Sequence, residues 1–202
     1  MSQHSQNFKI ISKHTPTKGK LEPLGQGGSG IVYLSEQIFV KDRDFKVLRA
    51  IKFFIYRDDI AKNLQASISS ENFLGEITSI TKFNHENILK VIDGGIHLKG
   101  KREIPYLVTD YIEGATLEEV IRAEDSSHFF DYIKSEEDAF DLLMQLTYGL
   151  NYLHKLGFYH CDIAPKNIFL RKYDDYTQLV IGDLGAGITI EALLILYSFS
   201  VI

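Results

Sequence analysis

Apolar and polar positions follow one another in two rhythms, short strand-like runs toward the front and helix-spaced runs behind them. Phe8–Ile11 predicts a short strand inside a polar lead-in, 1–20, expected to be a flexible segment. Leu24-Gly25-Gln26-Gly27-Gly28-Ser29-Gly30-Ile31-Val32-Tyr33-Leu34 has leucine, β-branched and aromatic flanks around glycines, which predicts strand, turn, strand. The charged turn Lys41-Asp42-Arg43-Asp44 leads into Val47–Ile55, a buried strand. Phe73, Ile77, Ile80 and Thr81 recur at helical spacing and predict a helix over 69–82, with Ser69 or Ser70 as N-cap. Ile88–Ile92 and Tyr106–Ile112 predict further strands. Thr116-Leu117-Glu118-Glu119 has the form of a capping box, and Ser135-Glu136-Glu137-Asp138 repeats it with Asp in place of Glu. The helix after Ser135 is expected to put Ala139, Leu142, Leu143, Leu146, Leu150 and Leu153 on one face and to stop near Gly157. Ile168–Leu170 and Gln178–Ile181 predict two more short strands. The order of elements predicts an α+β chain, sheet-rich in front and helical behind, with no internal repeat.

Composition narrows the function classes. Of 202 residues, 45% are apolar and 24% charged, which excludes a wholly disordered chain, a collagen and a coiled-coil rod. The net charge of −5 argues against a dedicated nucleic-acid binder. The single cysteine, Cys161, excludes an internal disulfide and a cysteine-cluster zinc site. No apolar h-region opens the chain, so a cytoplasmic location is expected, with no membrane partner.

Three groups of residues carry candidate chemistry. Gly25-x-Gly27-x-x-Gly30-x-Val32 lets backbone N–H groups approach phosphates, and read alone it is also an ordinary hairpin turn. A dinucleotide fold would need a helix after the last glycine, and Ile31-Val32-Tyr33-Leu34 does not start one. Ala50-Ile51-Lys52 puts an ammonium inside an apolar run, which is costly unless paired; an edge strand with the ammonium in water is the plainer reading. Glu76 is the candidate counter-ion, with Glu71 competing and a solvated helix face as the plain reading. The third group is Tyr159-His160-Cys161-Asp162-Ile163-Ala164-Pro165-Lys166-Asn167-Ile168-Phe169-Leu170, followed by Ile181-Gly182-Asp183-Leu184-Gly185. Two carboxylates and an amide form an oxygen-rich set suited to Mg²⁺. For His160 a packed core position is favoured, and for Cys161 a small buried hydrophobe. A transition-metal site from His154, His160 and Cys161 is set aside, since no second cluster completes it.

These motifs, in this order, resemble the eukaryotic-type protein kinase family from about Leu24 to Gly185. The resemblance implies a protein-kinase-like bilobal fold with a β-rich N-lobe at 21–112 and an incomplete helical C-lobe at 113–187. It implies ATP and Mg²⁺ as cofactors and an unidentified protein substrate as partner. Gly25, Gly27 and Gly30 would cover the ATP phosphates, and Lys52, paired with Glu76, would hold the α- and β-phosphates. Asp162 would accept or orient the substrate hydroxyl, Lys166 would supply charge, and Asn167 with Asp183 would hold Mg²⁺. Thr109 would be the gatekeeper, and the backbone of Asp110 and Ile112 would read the adenine edge. Leu24, Val32, Ala50 and Phe169 would sandwich the ring, with core packing a compatible role for all four. Thr116 falls where a ribose contact is expected, beside its capping role. The implied function is ATP-dependent transfer of the γ-phosphate to a protein hydroxyl, with serine or threonine favoured.

Four departures bear on that reading. Cys161 replaces the usual Arg before the base, so activity is expected not to depend on a phosphorylated activation loop. Ala164 replaces the Lys of most serine/threonine kinases, and Leu184 replaces Phe in the Asp-Phe-Gly triplet. After Gly187 comes an atypical apolar tail, 188–202, with no Ala-Pro-Glu. As a helix it would reach about 22 Å, short of a roughly 30 Å hydrocarbon core. The tail is read as the mark of a chain cut short, with the face of the 139–153 helix as one place for it to pack. Two alternatives stay open: a non-catalytic ATP-binding interaction fragment, and a small-molecule phosphotransferase, against which the Gly-rich loop and Asp-Leu-Gly argue.

Overall fold

A computed structural model describes residues 8–11, 21–27, 30–39, 42–54, 77–100, 102–123, 126–186 and 188–189. The chain forms two compact units, divided between Tyr111 and Ile112. One takes in the described residues up to Lys82 and Lys90–Tyr111; the other takes in Phe83–Leu89 and those from Ile112 onward.

The first unit is an antiparallel sheet of six strands. They are β1 (Phe8–Ile11), β2 (Gly25–Gly27), β3 (Gly30–Phe39), β4 (Asp42–Phe53), β5 (Val91–Lys99) and β6 (Arg102–Asp110). The spatial order is β1-β3-β4-β6-β5, with β2 also on β3. β2 and β3 form the glycine hairpin, with Gly27 opposite Gly30. Gly30 has φ +151°, and a Cβ there would collide with the Phe53 carbonyl, so no larger residue fits. The core is Ile51, Tyr106 and Val108, with Phe8, Ile10, Phe53 and Ile92 packed against it. Val108 has no exposed surface, as a β-branched residue on an inner strand should.

Several expectations shift in this unit. β5 runs over Val91–Lys99 rather than 88–92. Asp93-Gly94-Gly95 continues the strand, and the ladder accommodates it through a bulge between Val91 and Asp93, where Asp93 Oδ1 accepts from Gly94 N at 2.8 Å. Gly94 also packs closely, since a Cβ there would lie 2.8 Å from Ile77 Cδ1 and that side chain would have to shift. β6 starts four residues before the expected Tyr106. Pro105 lies past the last β4 pair, Phe53 with Tyr106, and serves that side through its carbonyl, which accepts from Phe54 N at 2.9 Å. Of the expected 69–82 helix, 77–80 are helical, with Ile77 and Ile80 buried; Ser69, Ser70, Glu71, Phe73 and Glu76 lie outside the described residues.

The second unit joins helices to short strands. In order come β7 (Ala115–Thr116), α1 (Leu117–Arg122), α2 (Ser126–Tyr132), α3 (Glu136–Lys155), β8 (Phe158–Tyr159), β9 (Ile168–Lys172), β10 (Thr177–Ile181) and β11 (Ile188–Thr189). Both capping boxes form. Thr116 Oγ1 accepts from Glu119 N while the Glu119 carboxylate accepts from Thr116 N, and Ser135 and Asp138 do the same for α3. The α3 helix turns off at Gly157, whose φ is +69°. Its buried stripe is Leu142, Gly149 and Leu153. Leu143, expected on that stripe, is 62% exposed, because it follows Leu142 by about 100° around the helix.

Asn87 ties the segment 83–89 to this unit. Its Nδ2 donates to Leu179 O at 2.8 Å and to Gln145 Oε1 at 3.1 Å, while Leu89 N donates to Ile181 O at 2.8 Å. Gln145 in turn receives Leu179 N at 2.7 Å and donates to Thr177 O at 3.0 Å, so α3 and β10 share one polar seam. Gly149 sits over it, where a Cβ would press on Ile181 and Asn87. Ile188 and Thr189, the described part of the expected apolar tail, pair with Tyr159 and Phe158 of β8; 190–202 lie outside the described residues. Among the described residues, no helix is long and apolar enough to cross a membrane.

Candidate active site

In the first unit, β4 carries Ala50 and Lys52. The edge-strand reading of Lys52 is overturned: β4 lies between β3 and β6, and Lys52 is opposite Val32 on one side and Leu107 on the other. Its ammonium lies 5.2 Å from the centre of the Phe54 ring, where a π-face helps hold the cation. Ala50 stands opposite Leu34 and Thr109. The ladder thus brings Val32, Ala50, Lys52 and Thr109 into adjacent registers. Leu24 joins them, its N–H donating to Val32 O at 2.8 Å. Gly25 and Gly27 are exposed, with open space where a Cβ would go.

Thr109 and Asp110 end β6. Asp110 N donates to Lys90 O at 3.0 Å and the Thr109 hydroxyl donates to Asp110 O at 3.1 Å. The Asp110 carboxylate pairs with Arg49, whose Nε also donates to Gln37 Oε1 at 2.9 Å. That ion pair was not anticipated from the sequence; its signal is a charge at each of two facing strand positions. Ile112, the other expected adenine-edge residue, belongs to the second unit.

The second unit assembles the loop after β8. His160 is 2% exposed, as expected of a packed histidine. Its Nδ1 accepts from Asp162 N at 3.3 Å, so the ring proton sits on Nε2, which donates to Gly182 O at 2.7 Å. One ring therefore spaces Asp162 from the residue before Asp183. Cys161 corrects the buried-hydrophobe expectation: it is exposed, with φ +61°. The left-handed turn swings its side chain out while His160 and Asp162 stay tied together. Asp183 has φ +53° as well. Such positions cost about 1–3 kcal/mol and are kept where their surroundings hold them.

Asn167 is the hinge of the arrangement. Its Nδ2 donates to Asp162 O at 2.8 Å and to Asp162 Oδ2 at 3.0 Å. Facing two acceptors, the amide has one sensible orientation, which leaves Oδ1 as its remaining lone-pair donor. Lys166 Nζ lies 3.6 Å from Asp162 Oδ2. Gly182 N donates to Asn167 O at 2.8 Å, extending the β9–β10 ladder by one step beyond the pair Ile168–Ile181. Asn167 and Asp183 thus sit at the same end of one hairpin. Gly182 must be small, because a Cβ there would run into the Phe169 ring. Phe169 itself faces Thr116 across β7–β9. The Thr116 hydroxyl is engaged in its cap, 2.9 Å from Glu119 Oε2.

An amide oxygen and a carboxylate are hard donors of the kind Mg²⁺ takes, with waters or phosphate oxygens completing its shell. Among the described residues no group of three or more His, Cys, Asp and Glu could hold a metal alone. Glu76 lies outside the described residues.

Comparisons with known proteins point the same way. The pattern of the protein kinase domain matches residues 19–194. The chain is 30% identical over 166 residues to the tyrosine-protein kinase receptor svh-2 of Caenorhabditis elegans, covering 82% of this chain and 13% of that protein. It is 30% identical over 164 residues to myosin light chain kinase A of Dictyostelium discoideum (81% and 48%). It is 28% identical over 184 residues to the serine/threonine-protein kinase PrkC of Bacillus subtilis (90% and 24%). The chain spans less than half the length of each of these relatives. With its α+β composition, glycine hairpin, inner-strand lysine and Asp-Asn loop, the chain belongs to the protein kinase domain family.

Proposed function

We propose that this chain transfers the γ-phosphate of ATP to a hydroxyl of a protein, with serine or threonine favoured. The observation that carries the reading is the Asn167 amide, whose Nδ2 makes two bonds to Asp162 while the Asn167 backbone oxygen accepts from Gly182 N, next to Asp183. On this reading 21–112 holds the nucleotide and 113–187 carries the chemistry. The backbone of Gly25, Gly27 and Gly30 covers the phosphates, and Lys52, with Glu76 as counter-ion, holds the α- and β-phosphates. Leu24, Val32, Ala50 and Phe169 flank the adenine, Thr109 guards its pocket, Asp110 and Ile112 read its edge through their backbones, and Thr116 lies toward the ribose. Mg²⁺, held by Asn167 and Asp183, would neutralise charge on the phosphates.

The substrate oxygen attacks the γ-phosphorus, the bond from that phosphorus to the β–γ bridging oxygen breaks, and ADP leaves with the electron pair. Asp162 takes the hydroxyl proton. Lys166, already beside the Asp162 carboxylate, offsets charge on the transferring group. Most of the acceleration comes from placement and fixed charge, since the transfer needs little covalent help.

The test is radiolabelled ATP with a basic protein acceptor, comparing wild type with Asp162→Asn, and calorimetry with Mg-ATP on both. The expected result is a loss of transfer of about 10²–10⁴-fold with nucleotide affinity kept. Binding of Mg-ATP by wild type with no transfer would instead favour the non-catalytic reading.

A further inference from the structure

Arg49 stands on β4 beside Ala50, yet on the opposite face of the sheet. Successive strand residues alternate, so Ala50 and Lys52 share one face with their ladder partners Thr109 and Leu107, while Arg49 shares the other with Asp110. The Arg49 side chain is only 16% exposed and reaches partners on two different strands. It pairs with the Asp110 carboxylate of β6, and its Nε donates to Gln37 Oε1 of β3 at 2.9 Å. Its backbone oxygen accepts from the hydroxyl of buried Ser35 at 3.3 Å. Ser35, Arg49 and Asp110 are direct ladder partners, so three strands are pinned at one rung. An exposed ion pair adds little, but a planar fork bound at two points and shielded from water holds one geometry.

That rung is the last of β4 against β6, and β6 ends with it. Asp110 N donates to Lys90 O at 3.0 Å, and the carboxylate adds a tie to β4. The Asp110 carbonyl accepts from the Thr109 hydroxyl at 3.1 Å, which leaves it one lone pair for a ligand. No later rung of the sheet restrains the peptide that follows.

The geometry points to Arg49 as a positioning residue that sets the choice of purine from behind the sheet. This rests on the function proposed above, in which the Asp110 backbone reads the adenine edge. Adenine offers an exocyclic amine, a donor, where guanine offers a carbonyl oxygen, an acceptor. A backbone carbonyl held at one angle accepts from the amine and repels the oxygen. A peptide free to rotate can offer its N–H in place of its oxygen and serve guanine as well. Arg49 itself lies on the face away from Ala50 and Lys52 and acts through the Asp110 side chain.

The test is calorimetry of the whole chain with Mg-ATP and, separately, Mg-GTP. Wild type should bind Mg-ATP at least about tenfold more tightly. Arg49→Met should weaken Mg-ATP by about fivefold, as for one lost hydrogen bond, and leave Mg-GTP within about twofold. Arg49→Lys, which keeps the charge and loses the fork, should fall between. Arg49→Met combined with Asp110→Asn should be no worse than either alone, since both break the same tie. Lys46→Met removes the exposed Lys46–Glu36 pair of the same strand and should leave both nucleotides within about twofold. Circular dichroism selects the folded variants, and Asp110→Asn carries the same expectation if Arg49→Met is not among them. A general loosening of the sheet would weaken both nucleotides alike, so the ratio is the deciding quantity. Equal weakening of the two, an unchanged ratio, or additive losses in the double variant would overturn the inference. Equal binding of Mg-ATP and Mg-GTP by wild type would overturn it while the proposed function stands; binding of neither would overturn both.

Discussion

Asn167→Asp keeps the shape of the side chain and replaces its Nδ2 donor with an oxygen. That oxygen would stand where Nδ2 now stands, 3.0 Å from Asp162 Oδ2 and 2.8 Å from Asp162 O. Two unit charges 3.0 Å apart repel by about 1.4 kcal/mol in a water-like dielectric and about 5.5 kcal/mol at an effective dielectric of 20. The Asp162 side chain is 41% exposed and has Lys166 beside it, so the lower half of that range applies. Asn167→Ala loses the same two hydrogen bonds, about 1 kcal/mol each, without the repulsion. At pH 8 the Asp variant should therefore be less stable than the Ala variant by roughly 1.5–3 kcal/mol. The repulsion raises the pKa of the carboxylate pair above the unfolded value near 4, so the penalty is absent at acid pH and grows as pH rises through the folded pKa. Urea unfolding of both variants at pH 4, 6 and 8 by circular dichroism tests this. Equal stability at pH 8, or a gap that does not narrow at pH 4, would refute the assigned amide orientation.

Gly30→Ala forces a Cβ into the Phe53 carbonyl and should lower stability by about 2 kcal/mol or more, read as a drop in urea midpoint with an unchanged slope. Ser135→Ala and Asp138→Ala each remove half of one capping box and should each cost about 1 kcal/mol, with the double variant losing less than their sum. Tyr106 is buried, and that desolvation, with Asp93 adding to it, raises its phenol above the usual value. A raised folded pKa means its contribution is intact below pH 10 and lost as pH climbs through the folded value, so Tyr106→Phe should unfold at higher pH than wild type in an alkaline titration.

What could be read ahead of the structure was local. Thr116 with Glu119 and Ser135 with Asp138 act within one helical turn, so spacing alone announces them. Gly157 ends α3 for the same reason. The misreadings arose where distant chain decides. Lys52 read as an edge residue because nothing in its neighbours says that β3 and β6 flank it. Cys161 read as buried because small size suggests burial, whereas a left-handed backbone decides its direction. β7 and β8 have two residues each, too few for any periodicity, and exist because β9 and β11 pair with them. At the candidate site, the residue types were legible, but not the imidazole linking Asp162 to Gly182, since that contact joins positions 22 apart.

The β9–β10 hairpin closes through Tyr173 N to Tyr176 O, with Asp174 and Asp175 at its tip. Everything between that tip and the pair Ile168–Ile181 is a ruler. Deleting one residue from either arm would offset the ladder and turn alternate side chains to the wrong face, carrying Asp183 away from Asn167. Extra residues inserted between Asp174 and Asp175 would only lengthen the tip. Length variation across natural versions of this chain should therefore crowd into that one spot and be missing from both arms.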